Sequence, residues 1–383
     1  MPLDRCIVST MSISLFLLVL GLAPAFAATP CISVTSACTE WVTFAGGPWR
    51  SMIYRTYSLD VRNEQITRAL VMIHGTNRDA DNYYRNALAS AFLGNALEDT
   101  VVIAPRIASN DRGCQDKLAA NEVSYSCGGD SWRSGGTASS NDKLTSFDFI
   151  DEVLRKLARK EIFPNLKHIV VAGHSAGGQF VNRYEMANQV HETLGVPVSY
   201  VVANPSSYAY PDNTRPTASD WPVQAGAPGY VPELTAGRGG RGGRGGSDSE
   251  TPGGAVFRPF GDGRNCTTYD QWPYGFEHRS GYTARLTDDQ LKKQLASRPT
   301  TYLVGELDIL PLGGFDGSCS AMAQGPTRLA RGLAFSKFVN QKLGAHQDAV
   351  VIPECGHNAR CMFTDEKALP IVFPKWGPAD SLR

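Results

Sequence analysis

Ser175 stands in the run Gly173-His174-Ser175-Ala176-Gly177, directly after the apolar stretch Val170-Val171-Ala172. A serine hydroxyl is a poor nucleophile at neutral pH, so nucleophilic chemistry requires a base, and the base requires an acid to orient it. The chain has seven histidines. His74, His168, His174, His191, His278 and His346 fall at an early strand end, at the start or within the turn of the serine segment, at a helix end, or in connections. His357 follows the last apolar run, in Ile352-Pro353-Glu354-Cys355-Gly356-His357. Asp308 follows the run Tyr302-Leu303-Val304-Gly305, between serine and histidine in sequence, with Glu306 and Asp316 as reserve acids. Ser175, Asp308 and His357 are therefore the candidate nucleophile, acid and base, in a chain order used by one class of serine hydrolases. The plain alternative is a tight turn with an idle serine; the joint placement of the three residues weighs against it.

The glycines have a steric purpose. A sharp strand-to-helix turn holds the serine in a strained backbone conformation, and side chains at positions 173 or 177 would collide with neighbouring backbone. The helix that follows turns its free amides toward any oxyanion formed at Ser175. A second donor comes from His74-Gly75-Thr76-Asn77, which follows the apolar run Leu70–Ile73. The amides of Thr76 and Ala176 are the candidate oxyanion hole, and His74 is read as fixing the loop.

These positions need a scaffold. Apolar runs at Ala69–His74, Thr100–Pro105, His168–Ala172, Val198–Ala203, Thr301–Val304 and Ala349–Ile352 alternate with helical patterns at Ala80–Leu97, Ser146–Lys160, Gly177–Gln189 and Pro326–Leu343. Thr145 and Asp148 form a capping-box start to the second helix. Strands apolar throughout, alternating with helices, predict an α/β doubly wound, mainly parallel sheet covered on both faces. The alternation breaks over residues 205–299, an insertion or lid beside the site that contains the Gly/Arg-rich tract 237–246, read as a surface loop. Trp132 and the aromatic segment Tyr269–Tyr282, with Trp272 and Tyr274, are the candidates for lining an apolar acyl or aryl pocket.

The composition is that of a folded soluble protein: 42% hydrophobic and 19% charged, with 37 basic and 37 acidic side chains. This balance gives no electrostatic reason to expect a nucleic-acid partner. Ile13–Leu22 followed by Ala25-Phe26-Ala27 fits a signal peptide over residues 1–27, cleaved near Ala27, and is too short to span a bilayer. The expectation is a secreted or periplasmic chain of residues 28–383 with no stable membrane insertion. After cleavage eight cysteines remain. Proximity favours Cys31–Cys38, Cys114–Cys127 and Cys355–Cys361, and elimination leaves Cys266–Cys319, although eight cysteines allow 105 pairings. Their spacing does not suit zinc, so no metal and no cofactor is expected. Asn265-Cys266-Thr267 is a glycosylation sequon.

Taken together, the His74-Gly75 loop, the Gly-His-Ser-Ala-Gly turn, Asp308 and His357 resemble the α/β-hydrolase superfamily. The His-Gly-Thr loop and the Gly-His-Ser-Ala-Gly-Gly turn are similar to those of secreted serine esterases of the polyhydroxyalkanoate-depolymerase and feruloyl-esterase type. An HGGG oxyanion motif is absent, and so is an appended polymer-binding domain. The resemblance implies the α/β-hydrolase fold and cleavage of a small or polymeric carboxylic ester through an acyl-enzyme on Ser175. A secreted peptidase or amidase using the same three residues, and a non-catalytic binding protein on the same fold, are the alternatives.

Overall fold

A computed structural model of the protein describes residues 28–45, 47–111, 113–128, 131–217, 256–261 and 264–375. The signal-peptide expectation over residues 1–27 and the tract 237–246 lie outside the described residues.

Ten strands and eight α-helices are formed among these residues. The strands are β1 (Thr39–Thr43), β2 (Arg50–Arg55), β3 (Arg68–Ile73), β4 (Thr100–Pro105), β5 (His168–His174), β6 (Val198–Ala203), β7 (Thr214–Pro216), β8 (Phe257–Pro259), β9 (Thr300–Gly305) and β10 (Asp348–Ile352). The helices are α1 (Ala80–Leu93), α2 (Ser146–Leu157), α3 (Ala176–Ala187), α4 (Asp288–Ser297), α5 (Cys319–Met322), α6 (Arg328–Leu343), α7 (Ala359–Thr364) and α8 (Leu369–Val372). Eight strands make one sheet in the order β1-β2-β4-β3-β5-β6-β9-β10. From β4 through β3, β5, β6 and β9 to β10 every pairing is parallel, while β1–β2 and β2–β4 are antiparallel. The six expected strands and four expected helices all form, with ends shifted by a few residues.

The continuous apolar character of the central strands has a direct structural cause. Alternate residues of β3 enter different cores: Ala69, Val71 and Ile73 pack on one side of the sheet, Leu70 and Met72 on the other. The first side is covered by α2, α3, α4 and α6 through residues such as Phe149, Phe180, Leu291 and Phe335. The second is covered by α1, α7 and α8 through Tyr84, Met362 and Val372. A strand buried on both faces has no position for a polar alternation. Helix α2 starts with the expected capping box, the Thr145 hydroxyl accepting from the Asp148 amide while the Asp148 carboxylate accepts from the Thr145 amide.

The described parts of the 205–299 segment are docked on the domain. Buried Arg215 donates to the carbonyls of Tyr269 and Tyr274 and to Asp270, and Arg183 of α3 donates to the Pro273 carbonyl. The Tyr282 hydroxyl donates to Asp151 of α2. The eight cysteines pair as Cys31–Cys38, Cys114–Cys127, Cys266–Cys319 and Cys355–Cys361. Among the described residues no helix is long and apolar enough to cross a membrane.

Candidate active site

The carboxyl ends of β3, β5, β9 and β10 deliver four loops to one edge of the sheet, where ligands of open α/β sheets bind. Strand β5 runs into Ser175, which takes φ 61° and ψ −121° before α3 begins. A non-glycine residue rarely holds such a conformation, and the surroundings must impose it. The close approach around it explains the glycines. A Cβ on Gly173 would collide with the Gly177 carbonyl, and one on Gly177 would collide with the carbonyls of Ile73 and His74. The Ser175 amide is fixed by donating to the Ala203 carbonyl, 2.9 Å away.

His357 is held in the short loop closed by Cys355–Cys361. Its Nε2 lies 2.9 Å from the Ser175 Oγ, and its Nδ1 lies 2.7 Å from Asp308 Oδ2. An ionised carboxylate only accepts, so Nδ1–H donates to Asp308 and Nε2 is left to accept from the serine hydroxyl. The reserve acids are engaged elsewhere: Glu306 accepts from the Glu354 amide, and Asp316 from the Tyr274 hydroxyl and the Ser318 amide.

Two residues that pattern reading missed hold the Asp308 and His357 loops together. Arg328, fully buried at the start of α6, donates to Asp308 Oδ1 at 3.2 Å, to Ser206 Oγ at 2.7 Å, and to the carbonyls of Leu312 and Gly313 at 2.8 and 3.0 Å. Asn204, in the left-handed region at φ 44°, accepts from the Gly305 amide at the end of β9 and donates to the Gly356 carbonyl beside His357. Neither residue stands in a motif; the only sequence signal is an Asn after an apolar run and an Arg in a helix pattern.

His74 lies at the end of β3 as expected and is fully buried. The Ile107 amide donates to its Nε2, so its Nδ1–H donates to the Gly75 carbonyl, fixing the loop. Burial lowers its pKa to about 4, which keeps it neutral. His174 packs its ring 4.6 Å from that of His357, and Tyr83 places its hydroxyl 3.1 Å from His174 Nδ1. Burial, then the neighbouring His357 and Arg328, push the His174 pKa well below its usual value. A neutral His174 adds no positive charge against the His357 ring.

The amides of Thr76 and Ala176 donate to no acceptor among the described residues. Thr76 lines, with Ser175 and His357, a cavity of about 520 Å³. Its walls come from the β3 loop, the first two turns of α1, the Gly313-Gly314 loop and α7. None of the aromatic residues expected at the pocket lines it. Trp132 is buried against His74 and Phe180, with Arg78 over its ring. The Trp272 indole donates to the Ser134 carbonyl, and the Tyr274 hydroxyl donates to Asp316 and accepts from the Ser318 hydroxyl. Trp132 is spent on core packing, and Trp272 and Tyr274 join the 205–299 segment to the domain, roles that composition alone does not distinguish from pocket lining. Among the described residues no group of three or more His, Cys, Asp or Glu side chains is arranged to hold a metal ion.

With this fold and loop edge in view, the chain belongs to the alpha/beta hydrolase family, whose model matches residues 70–369. Solved structures similar to it include poly(aspartic acid) hydrolase-1 from Sphingomonas sp. KT-1, at 18% identity and a TM-score of 0.54, covering 88% of this chain and 98% of that one. A poly(3-hydroxybutyrate) depolymerase from Bordetella parapertussis is 18% identical with a TM-score of 0.52, covering 88% of each chain. At such identities the likeness bears on the fold, which both share with this hydrolase. A comparison with curated proteins finds no match.

Proposed function

We propose that the protein is a secreted serine hydrolase that cleaves carboxylic esters through an acyl-enzyme on Ser175. The observation that carries this reading is the hydrogen-bonded series Ser175, His357, Asp308, at 2.9 and 2.7 Å, opening on a cavity. As the Ser175 Oγ attacks the acyl carbon, its proton passes to His357 Nε2. The carbonyl oxygen becomes an oxyanion beside the amides of Thr76 and Ala176, and Asp308 stabilises the imidazolium without taking its proton. Collapse breaks the bond to the alcohol, whose oxygen takes the proton from Nε2. Water then attacks the acyl-enzyme, giving a proton to Nε2, and Ser175 recovers a proton as the acid leaves. The four disulfides suit an oxidising compartment, in keeping with export.

The test is turnover of short p-nitrophenyl esters by the wild-type protein and by Ser175→Ala, with fluorophosphonate labelling of Ser175. The alanine variant is expected to lose at least about 10³-fold in kcat/KM. Unchanged turnover rejects the assignment, and hydrolysis of peptides in preference to esters replaces the ester reading with the peptidase one.

A further inference from the structure

The walls of the cavity beside Ser175 are unusual for an ester pocket. No Val, Leu, Ile, Met, Phe or Trp is among the described residues that line it, and Ala359 is its one aliphatic side chain among them. The remaining side chains are dominated by amides: Asn77, Asn82, Asn86 and Asn358. Ligand pockets ordinarily place a few polar groups in a mainly apolar lining, and here the proportion is reversed.

The four amides are not equivalent. Asn82 donates to Asp79, and Asn358 caps α7 by accepting from the Cys361 amide. Asn77 is exposed. Asn86 lies one helical turn beyond Asn82 on the same face of α1, is only 8% exposed, and its side chain has no protein partner among the described residues. Its amide atoms are not among the fully buried unpaired ones, so solvent reaches them through the cavity beside Ser175, and a ligand that displaces that solvent must supply the hydrogen bonds instead. The two charged side chains at the wall, Asp79 and Arg360, are opposite in sign, so the cavity favours neither anion nor cation overall.

We infer that this cavity selects esters carrying a neutral hydrogen-bonding group, an amide or hydroxyl, on a short carbon skeleton, and that Asn86 is the selecting side chain. The inference rests on the esterase reading and names its substrate class. An alkyl chain gains about fourfold in affinity per methylene when it leaves water for an apolar wall. Against these amides it gains no such surface and strips their water, so long acyl esters have no advantage. A group that pairs with Asn86 satisfies the buried amide, and its isostere without the pairing leaves it unmet.

Two matched pairs of esters decide the matter. On the acyl side, p-nitrophenyl N-acetylglycinate is compared with p-nitrophenyl 4-methylpentanoate. On the alcohol side, 2-acetamidoethyl acetate is compared with 4-methylpentyl acetate. In at least one pair the amide ester is expected to be favoured about tenfold or more in kcat/KM, and Asn86→Leu is expected to bring that ratio close to one. The wild-type ratios stand without the variant, and the rate of fluorophosphonate labelling at Ser175 in Asn86→Leu shows whether its site is intact. Alkyl members winning both pairs, a preference that survives Asn86→Leu with labelling intact, or faster turnover of a carboxylate-bearing succinyl ester would each overturn the inference. If ester turnover remains after Ser175→Ala, the esterase reading itself fails; if turnover depends on Ser175 but favours alkyl chains, only the substrate class fails.

Discussion

Replacing Arg328 by methionine removes a guanidinium that touches Asp308, the loop behind His357 and Ser206 after β6 at once. The side chain is fully buried, and Asp308 beside it is only 2% exposed. Removing one partner of a buried ion pair leaves the other charge uncompensated, which costs about 3–5 kcal/mol. The carbonyls of Leu312 and Gly313 lose their donor in the same step. Two residues on, Phe315 packs its ring against the guanidinium groups of Arg328 and Arg331 at 5.2 and 4.4 Å. The loop backs closely on the base: a Cβ on Gly313 would come within 2.9 Å of His357 Cδ2. A displacement of the loop therefore reaches the ring that must face Ser175. A shift of about 1 Å in a catalytic group costs about 100-fold. Arg328→Met is thus expected to lower the urea-unfolding free energy by several kcal/mol and kcat/KM on a short ester by about 100-fold, with the loss in kcat rather than KM. Arg328→Lys keeps the charge and gives up the planar fork, so it falls between the two. If the methionine variant stays within about 1 kcal/mol and about threefold of wild type, Arg328 is packing and the reasoning is wrong.

Burial raises the Asp151 carboxyl from 3.8 to about 6 even though the hydroxyls of Tyr184 and Tyr282 donate to it. Its folded-state affinity for the proton is the higher one, so the stability it contributes is complete below pH 3.8 and is lost as pH rises to about 6, a change of about 3 kcal/mol. Urea midpoints measured across this range should converge in slope for Asp151→Asn, and a difference curve without a step between pH 4 and 6 would refute the assignment. Opening the Cys355–Cys361 bridge by Cys355→Ser with Cys361→Ser frees the loop that carries His357. The expected cost is about 2 kcal/mol in stability, with a larger proportional fall in ester turnover than in folded fraction; equal falls would show that the bridge serves stability alone.

The central sheet was legible because burial on both faces writes itself into sequence as uninterrupted apolar runs, and glycines at positions 173 and 177 mark the turn that no larger residue permits. The antiparallel strands β1 and β2 escaped for the opposite reason. They lie at one edge, with β1 outermost, and only Val42, Ser51 and Ile53 in them are buried, so their polar residues break any run. Helix α4 was hidden inside the 205–299 segment, where proline and aromatic content dominates the pattern although Thr287 and Gln290 form a capping box.

The candidate site divides along the same physical line. Ser175, Asp308 and His357 could be singled out from sequence because each lies within a few residues of a strand's end, and strand ends in a parallel sheet converge on one edge. Arg328 and Asn204 could not, since their partners lie 15 to 152 residues away and depend on how loops close. The pocket aromatics failed on a different point: a tryptophan that buries its ring and finds a carbonyl for its indole N–H is satisfied wherever that occurs. Trp272 finds the Ser134 carbonyl across the 205–299 junction. One wall beside Ser175 is instead supplied by α1, whose asparagines carry no motif in the sequence. Only the fold turns them toward the nucleophile, which is why the proposed selectivity for hydrogen-bonding esters emerges from Asn86 and not from the aromatic segment.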